Sequence, residues 1–195
     1  MIIGICGLIG SGKGTVADHL VDRYGFQKVS FADALKDATA QMFEWPRDLL
    51  EGDTPESRTW RETPDEFWSS ELGYTVTPRF VLQKFGTECM RGGFYDGVWV
   101  SIVKRKILNN PAVNWVVPDT RFPNEIKMIN SIGGQVWRVK RGEDPAWMQR
   151  YVQYGIEPVD IHSSEWSWAK EPFNQVIDND ADLKTLYKKV KQILN

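Results

Sequence analysis

The chain has 195 residues, which suits one compact domain or a core with one or two small inserts, and its 42% hydrophobic residues suffice for a substantial core. Lys plus Arg number 24 against 26 for Asp plus Glu, a net charge of −2 that argues against a whole-protein electrostatic grip on nucleic acid or on an anionic membrane. The two cysteines, Cys6 and Cys89, supply neither a disulfide framework nor a zinc site. Residues 1–6 are too few to span a bilayer and lack the basic start of a signal peptide, so a reducing, cytoplasmic setting is expected.

Ile2, Ile3, Ile5 and Cys6 form a short apolar run that suits a buried parallel strand. After a glycine-rich turn, Val16, Ala17, Leu20, Val21 and Tyr24 recur at helical spacing, and Gly25 ends that helix. Residues 26–31 read as a second strand, and Ala34, Leu35, Ala38 and Met42 mark a second helix that Trp45-Pro46 stops. From 47 to about 77 periodicity is weak, with one helix start at Thr63-Pro64-Asp65-Glu66, Thr63 as N-cap and Pro64 at the first helical position. Thr77-Pro78 repeats the device and opens a helix carrying Val81, Leu82 and Phe85; a further helix holds Val98, Trp99, Ile102, Val103 and Leu108. Residues 33–110 are therefore expected to be a helical insert. The core resumes with the strand at Trp115-Val116-Val117, a helix on Ile126, Ile129 and Ile132, and a strand over 135–139. Residues 140–170 read as polar and irregular, before a last short strand at Val176-Ile177 and a C-terminal helix. Strands alternating with helices imply an α/β fold with a parallel sheet in a single domain.

The sharpest motif is Gly7-Leu8-Ile9-Gly10-Ser11-Gly12-Lys13-Gly14-Thr15, set between the first strand and the first helix. Glycines let successive N–H groups turn toward phosphate oxygens, the helix N-terminus adds a positive dipole end, and a lysine reaches the phosphates. Gly10, Ser11, Gly12, Lys13, Gly14 and Thr15 are the candidate triphosphate-binding residues. Gly14 stands where the general pattern has Ser or Thr. In this respect the run resembles the adenylate-kinase-like branch of nucleoside monophosphate kinases. That resemblance implies Mg²⁺ held largely by phosphates and water, with Thr15 and Asp119 as candidate metal ligands. In Val117-Pro118-Asp119-Thr120-Arg121 a carboxylate ends a core strand, where ligands bind in a doubly wound sheet. Asp119 could organise the metal shell, and Arg121 could meet a transferring or acceptor phosphate. The blander reading makes Asp119 a helix cap.

Arg79, Gln83, Thr87 and Arg91 lie four residues apart and share one slowly drifting helical face if the helix persists past Gly86. Arginine suits phosphate because its fork grips two oxygens. Here a fuller resemblance enters. Thr77-Pro78-Arg79, Leu82-Gln83, Gly86-Thr87-Glu88 and Arg91 are similar to the acceptor-binding segment of the phage-type deoxynucleoside monophosphate kinase family. So are residues 118–125, Gly133-Gly134, Arg138, His162-Ser163-Ser164-Glu165 and Ile177-Asp178-Asn179-Asp180, in order along nearly the whole chain.

The resemblance implies a P-loop kinase fold with five parallel strands in the order 2-3-1-4-5, an acceptor-binding insert at 33–110 and a lid at 140–170. It further implies ATP and Mg²⁺ as cofactors and a deoxynucleoside monophosphate as acceptor, phosphorylated to the diphosphate, with no nucleic-acid polymer or membrane as partner. Carried over by position, Lys13, Asp119, Arg121 and Arg141 would serve the transfer and Arg150 would close on ATP, although Arg141 and Arg150 could equally be ordinary surface charge. Asp33, Arg79, Gln83, Thr87, Arg91 and Trp99 would serve the acceptor. Asp33 could equally cap its helix, and the Trp99 ring could equally be core. Lys36 reads as surface and His162 as a brace of the lid hinge. The 9 tryptophans, among them Trp45, Trp60 and Trp68, mostly suit packing. Another small-acceptor kinase, such as a dephospho-coenzyme A kinase, shares this core; a P-loop switch or motor fits a short acidic chain less well. Base choice, ribose selectivity and oligomeric state, a homodimer included, stay open at this level.

Overall fold

The computed structural model describes residues 1–194. Five parallel strands form one sheet in the order β2-β3-β1-β4-β5: β1 Ile2–Cys6, β2 Gln27–Lys28, β3 Trp115–Val117, β4 Gln135–Lys140 and β5 Gln175–Asp178. The order expected from the family resemblance is the one observed. β1 is central, with Ile3 opposite Val116 on one side and Gln135 on the other. Strand order therefore reverses at β1, and such a switch point opens a crevice at the carboxyl ends of the strands.

The chain divides into two units, residues 1–30 with 103 onward, and residues 31–102. The first unit holds the sheet, α1 (Lys13–Tyr24), α7 (Pro123–Ser131), α8 (Ala146–Tyr154) and α9 (Leu183–Leu194). Ile3, Ile5, Val16, Leu20, Trp137, Val139, Ile177 and Leu186 make its core. β1 reads as an unbroken apolar run because both of its faces are covered. Truncating one of these fully buried side chains to Ala costs about 2–5 kcal/mol. Gly25 closes α1 in the left-handed conformation, φ 70°, its N–H directed at Leu20 O and Val21 O.

Two expectations for this unit need correction. The second strand spans only Gln27–Lys28, not 26–31; Val29 still bonds Val116 O at 3.0 Å, but Phe26, Val29 and Phe31 are buried without all being laddered. Apolar content marked burial there, and burial outlasts the strand. Residues 140–170 are not irregular throughout, because α8 occupies nine of them. Only Met148 of that helix is buried, so it carries little apolar periodicity to find.

The second unit holds α2 (Asp33–Phe43), α3 (Pro55–Glu62), α4 (Glu66–Leu72) and α5 (Pro78–Gln83), which runs into a π-helical stretch, Lys84–Gly92. The start of α6 (Val98–Leu108) also belongs to it. Sequence reading missed α3, although Thr54-Pro55 opens it with the device already noted at Thr77-Pro78. Thr54 Oγ1 accepts from Ser57 N at 3.1 Å and Ser57 Oγ accepts from Thr54 N at 3.1 Å. Thr63 is not an N-cap; it ends α3, and Asp65 caps α4 by accepting from Trp68 N at 2.9 Å. The other Asp65 oxygen accepts from Trp45 Nε1 at 2.8 Å, which joins the cap to the aromatic core. Trp45, Leu50, Val76 and Val81 form that core, with Phe43, Trp60 and Trp68 packed around it. No helix of the described residues is long and apolar enough to cross a membrane.

Candidate active site

The loop from β1 to α1 curls because three of its glycines adopt positive φ: Gly7 at 143°, Gly10 at 76° and Gly12 at 102°. Two of them are also pressed against neighbours. A Cβ on Gly7 would lie 2.2 Å from Val139 O, and one on Gly12 would lie 2.4 Å from Asn179 Nδ2. The loop thus sits on the ends of β4 and β5, and only glycine fits there. Over Gly10 and Gly14, by contrast, a Cβ would meet nothing within 4 Å, which leaves that side of the loop open.

Lys13 folds back over the loop, its ammonium donating to Gly7 O and to Leu8 O at 2.8 Å each. Burial, reinforced by the positive charge of Arg121, pushes its pKa below the ordinary lysine value, and Glu165 opposes that push. Two cations held close in a partly buried place favour an anionic ligand that relieves their repulsion. Ser11 is 3% exposed, and its Oγ is buried with no hydrogen-bond partner. A buried hydroxyl without a partner is uncommon, and this one lies where the loop packs against Gly7.

Asp119 and Arg121 follow β3. Asp119 accepts from Ser30 Oγ, which ties it to the segment after β2. Arg121 is oriented twice: buried Glu125 accepts from its backbone N–H at 2.6 Å, and its guanidinium pairs with Glu165 at 3.1 Å. Ser30, Glu125 and Glu165 were not foreseen as positioning residues; Glu165 lies 44 residues from Arg121, and no local spacing links them. His162 accepts through Nδ1 from Ser164 N at 3.3 Å and so caps the turn Ser163–Glu165 that carries Glu165. Arg141 is exposed, with Nε donating to Asn179 O at 3.4 Å; Arg150 is exposed on α8. Arg138, by contrast, is largely buried, paired with Asp144 and packed over the Trp168 and Phe173 rings at 5.2 and 5.9 Å. Cys6 is a buried thiol whose pKa burial raises to about 12, so it has no reactive character.

In the second unit Arg79, Gln83 and Thr87 are exposed, and Arg91 is partly buried. Arg79 pairs with Glu62 at 2.8 Å, and Arg91 Nε lies 3.8 Å from Asp96. The helix does persist past Gly86, but with π winding. A four-residue step overshoots an α-turn of about 3.6 residues and falls short of a π-turn. The change of winding after Gln83 therefore offsets the drift that would otherwise rotate Thr87 and Arg91 off the Arg79 face. Trp99 is 8% exposed and donates through Nε1 to Gly86 O at 3.1 Å, which braces the π stretch. Asp33 lies in the first turn of α2, 3.8 Å from Arg47.

No group of three or more His, Cys, Asp or Glu side chains that could cage a metal occurs among the described residues. The donors near the loop, the Thr15 hydroxyl and the Asp119 carboxylate, fit an ion carried in on phosphates. Mg²⁺ ordinarily keeps several waters and takes one or two protein oxygens in such sites. Thr15 and Asp119 would be its candidate oxygen partners, directly or through water.

A parallel sheet of order 2-3-1-4-5, whose central strand feeds a lysine-bearing glycine loop and then a helix, is the P-loop kinase fold. Within that class the chain has a full-length relative: over 203 residues it is 29% identical to a protein of Acanthamoeba polyphaga mimivirus named "Putative deoxynucleotide monophosphate kinase", covering 97% of this chain and 94% of that one. Similar solved structures include dephospho-CoA kinase from Campylobacter jejuni (TM-score 0.48, 13% identity, 99% of this chain and 95% of that one). TT1252 from Thermus thermophilus (0.47, 18%, 100% and 96%) and a gluconokinase from Sinorhizobium meliloti 1021 (0.42, 13%, 96% and 87%) are two more. No family model matches the chain.

Proposed function

We propose that the protein transfers the γ-phosphoryl group of ATP to a deoxynucleoside monophosphate, yielding ADP and the deoxynucleoside diphosphate. The observation that carries the reading is Lys13, folded back onto two carbonyls of a glycine loop and pressed by the charge of Arg121. The acceptor class draws support from the full-length mimiviral relative. In the transfer, one acceptor phosphate oxygen forms a bond to the γ-phosphorus as the bridging bond to the β-phosphate breaks. Such chemistry asks the protein for positioning and charge rather than for covalent help. Mg²⁺, held by the nucleotide with Thr15 and Asp119, would supply further neutralisation of phosphate charge.

Gly10 to Gly14 cradle the triphosphate in this reading, and Lys13 leaves its two carbonyls for phosphate oxygens. Arg121 leaves Glu165 to meet the transferring group. Arg141 and Arg150 close over ATP and exclude water, which limits wasteful hydrolysis. Arg79 and Arg91 hold the acceptor phosphate, Gln83 and Thr87 lie along the same face toward its base, and Asp33 faces the acceptor while Trp99 supports that wall. The 33–110 segment is the acceptor-binding insert and 140–170 the lid. The protein acts in the cytoplasm, without a nucleic-acid polymer as partner.

A coupled assay of ADP release against deoxynucleoside monophosphates, ribonucleoside monophosphates and dephospho-coenzyme A tests this. ADP release that depends on a deoxynucleoside monophosphate is expected. Release with dephospho-coenzyme A alone, or at the same rate with no acceptor, overturns the reading.

A further inference from the structure

The segment after β5 does something the phosphate loop's own residues do not account for. Asn179 is 4% exposed although it lies just beyond the strand's last residue, Asp178. Its backbone N–H donates to O of Lys140, the last residue of β4, at 2.6 Å, so the β4–β5 ladder continues one residue past the end of β5. Anchored there, its side chain reaches past the end of β4 to the loop that follows β1, and Nδ2 donates to Ser11 O at 2.9 Å. Contact is so close that Gly12 could carry no Cβ, which would lie 2.4 Å from that same nitrogen.

This bond fixes a peptide plane. In a trans peptide the carbonyl and the N–H of the next residue point in opposite directions. Holding Ser11 O against Asn179 therefore turns the Gly12 N–H away from Asn179. Gly12, at φ 102°, has the conformational freedom to let that plane rotate. An amide able to flip costs binding free energy each time a phosphate must order it, and a preset one does not. The same residue accepts from Arg141 Nε at 3.4 Å through its carbonyl, and its neighbour Asp180 accepts from Gly142 N at 2.6 Å. One short segment thus holds both the phosphate loop and the start of the stretch that carries Arg141.

We infer that Asn179 is a positioning residue for the nucleoside triphosphate: its amide presets the Ser11–Gly12 peptide so that Gly12 N–H is aimed at a phosphate oxygen before the ligand arrives. The inference rests on the reading of the Lys13 loop as the triphosphate site. Its specific content is that Asn179 acts by donating a hydrogen bond, not by filling space beside Gly12.

Two substitutions separate those possibilities. Asn179→Asp keeps the size but sets a carboxylate oxygen against Ser11 O, whereas Asn179→Ala removes the donor without adding a repulsion. Equilibrium binding of ATP by calorimetry, the KM values for ATP and acceptor, and thermal unfolding are measured for both and for Lys13→Ala. Loss of one orienting hydrogen bond corresponds to roughly a fivefold weakening of ATP binding in Asn179→Ala, and the added repulsion to roughly tenfold or more in Asn179→Asp. The acceptor KM should stay within about twofold, on the same scale of effects. Lost packing alone predicts the reverse order, with the isosteric Asp variant like the parent and the Ala variant impaired, and that result overturns the inference. Equal increases in both KM values overturn it as well. If Asn179→Asp does not fold, Asn179→Leu, which fills the space without a donor, takes its place: ATP binding like the parent's overturns the inference, and a weakening like that of Asn179→Ala upholds it. If the parent binds no ATP, or Lys13→Ala binds it as tightly as the parent, the reading of the loop fails first and takes the inference with it.

Discussion

The glycine loop and the α5–π helix each carry cations, Lys13 on one and Arg79 and Arg91 on the other, and they hold them in opposite ways. Lys13 is partly buried, bonded to two backbone carbonyls of its own loop, and squeezed by Arg121. Its surroundings are backbone and close-packed: Val139 O lies against Gly7, and Asn179 lies against Gly12. Arg79 instead stands half exposed, 51% for its side chain, and pairs with Glu62, itself 58% exposed. An ion pair so open to water is worth little and is easily exchanged for another anion. The loop is therefore organised by close packing, whereas Arg79 is held by an ion pair open to solvent.

The largest effect should come from the organised side. Lys13→Ala is expected to lower kcat by roughly 10²–10³-fold, the scale of removing one preorganised charge-stabilising donor, with little change in unfolding temperature. Near-parental turnover would erase the contrast. Next comes Arg79→Ala, expected to raise the acceptor KM on the order of 10–100-fold, as for a lost hydrogen bond to a charged group, while the ATP KM stays put. Steady-state kinetics with each substrate varied would expose an equal effect on both, which would deny Arg79 its separate role.

The smallest effect is a shift in pH dependence. Because Lys13's folded-state pKa lies below the ordinary value of 10.5, kcat/KM for ATP should lose its lysine charge at a pH below 10.5. The sign for stability follows from proton counts. Between the lowered value and 10.5 the unfolded chain binds more protons, so this group's contribution to stability rises with pH there and is absent at lower pH. Glu165 supports the Lys13 charge. Glu165→Gln should thus move the alkaline limb of the pH–rate profile to lower pH, and an unmoved limb would show that Glu165 serves Arg121 alone.

How much of this was legible depended on how local the cause is. Thr77-Pro78 could be read as a helix start, since an N-cap side chain and a proline act within one turn; Thr77 Oγ1 indeed accepts from Phe80 N at 3.1 Å. Thr54-Pro55 had the same signal and was passed over, because the surrounding polar residues hid the helix. Thr63 has the residue type of a cap, but α3 runs up to it and Asp65 two residues on caps α4 instead. The α8 helix escaped because a helix that buries one residue leaves no periodic trace.

By itself the sequence determined the lysine-bearing loop, the alternation of strand and helix, and the four-residue spacing from Arg79 to Arg91. Each is a matter of short-range backbone freedom or repeat, which adjacent residues control. Tertiary structure alone decided which side chains hold that loop and the Asp119–Arg121 segment in place. Glu165 beside Arg121, Ser30 on Asp119 and Asn179 on Ser11 join residues 44, 89 and 168 positions apart. It also decided that the helix carrying Arg91 would wind as π past Gln83. Such pairings arise only when the sheet order brings strand ends together, and no spacing within one segment encodes them.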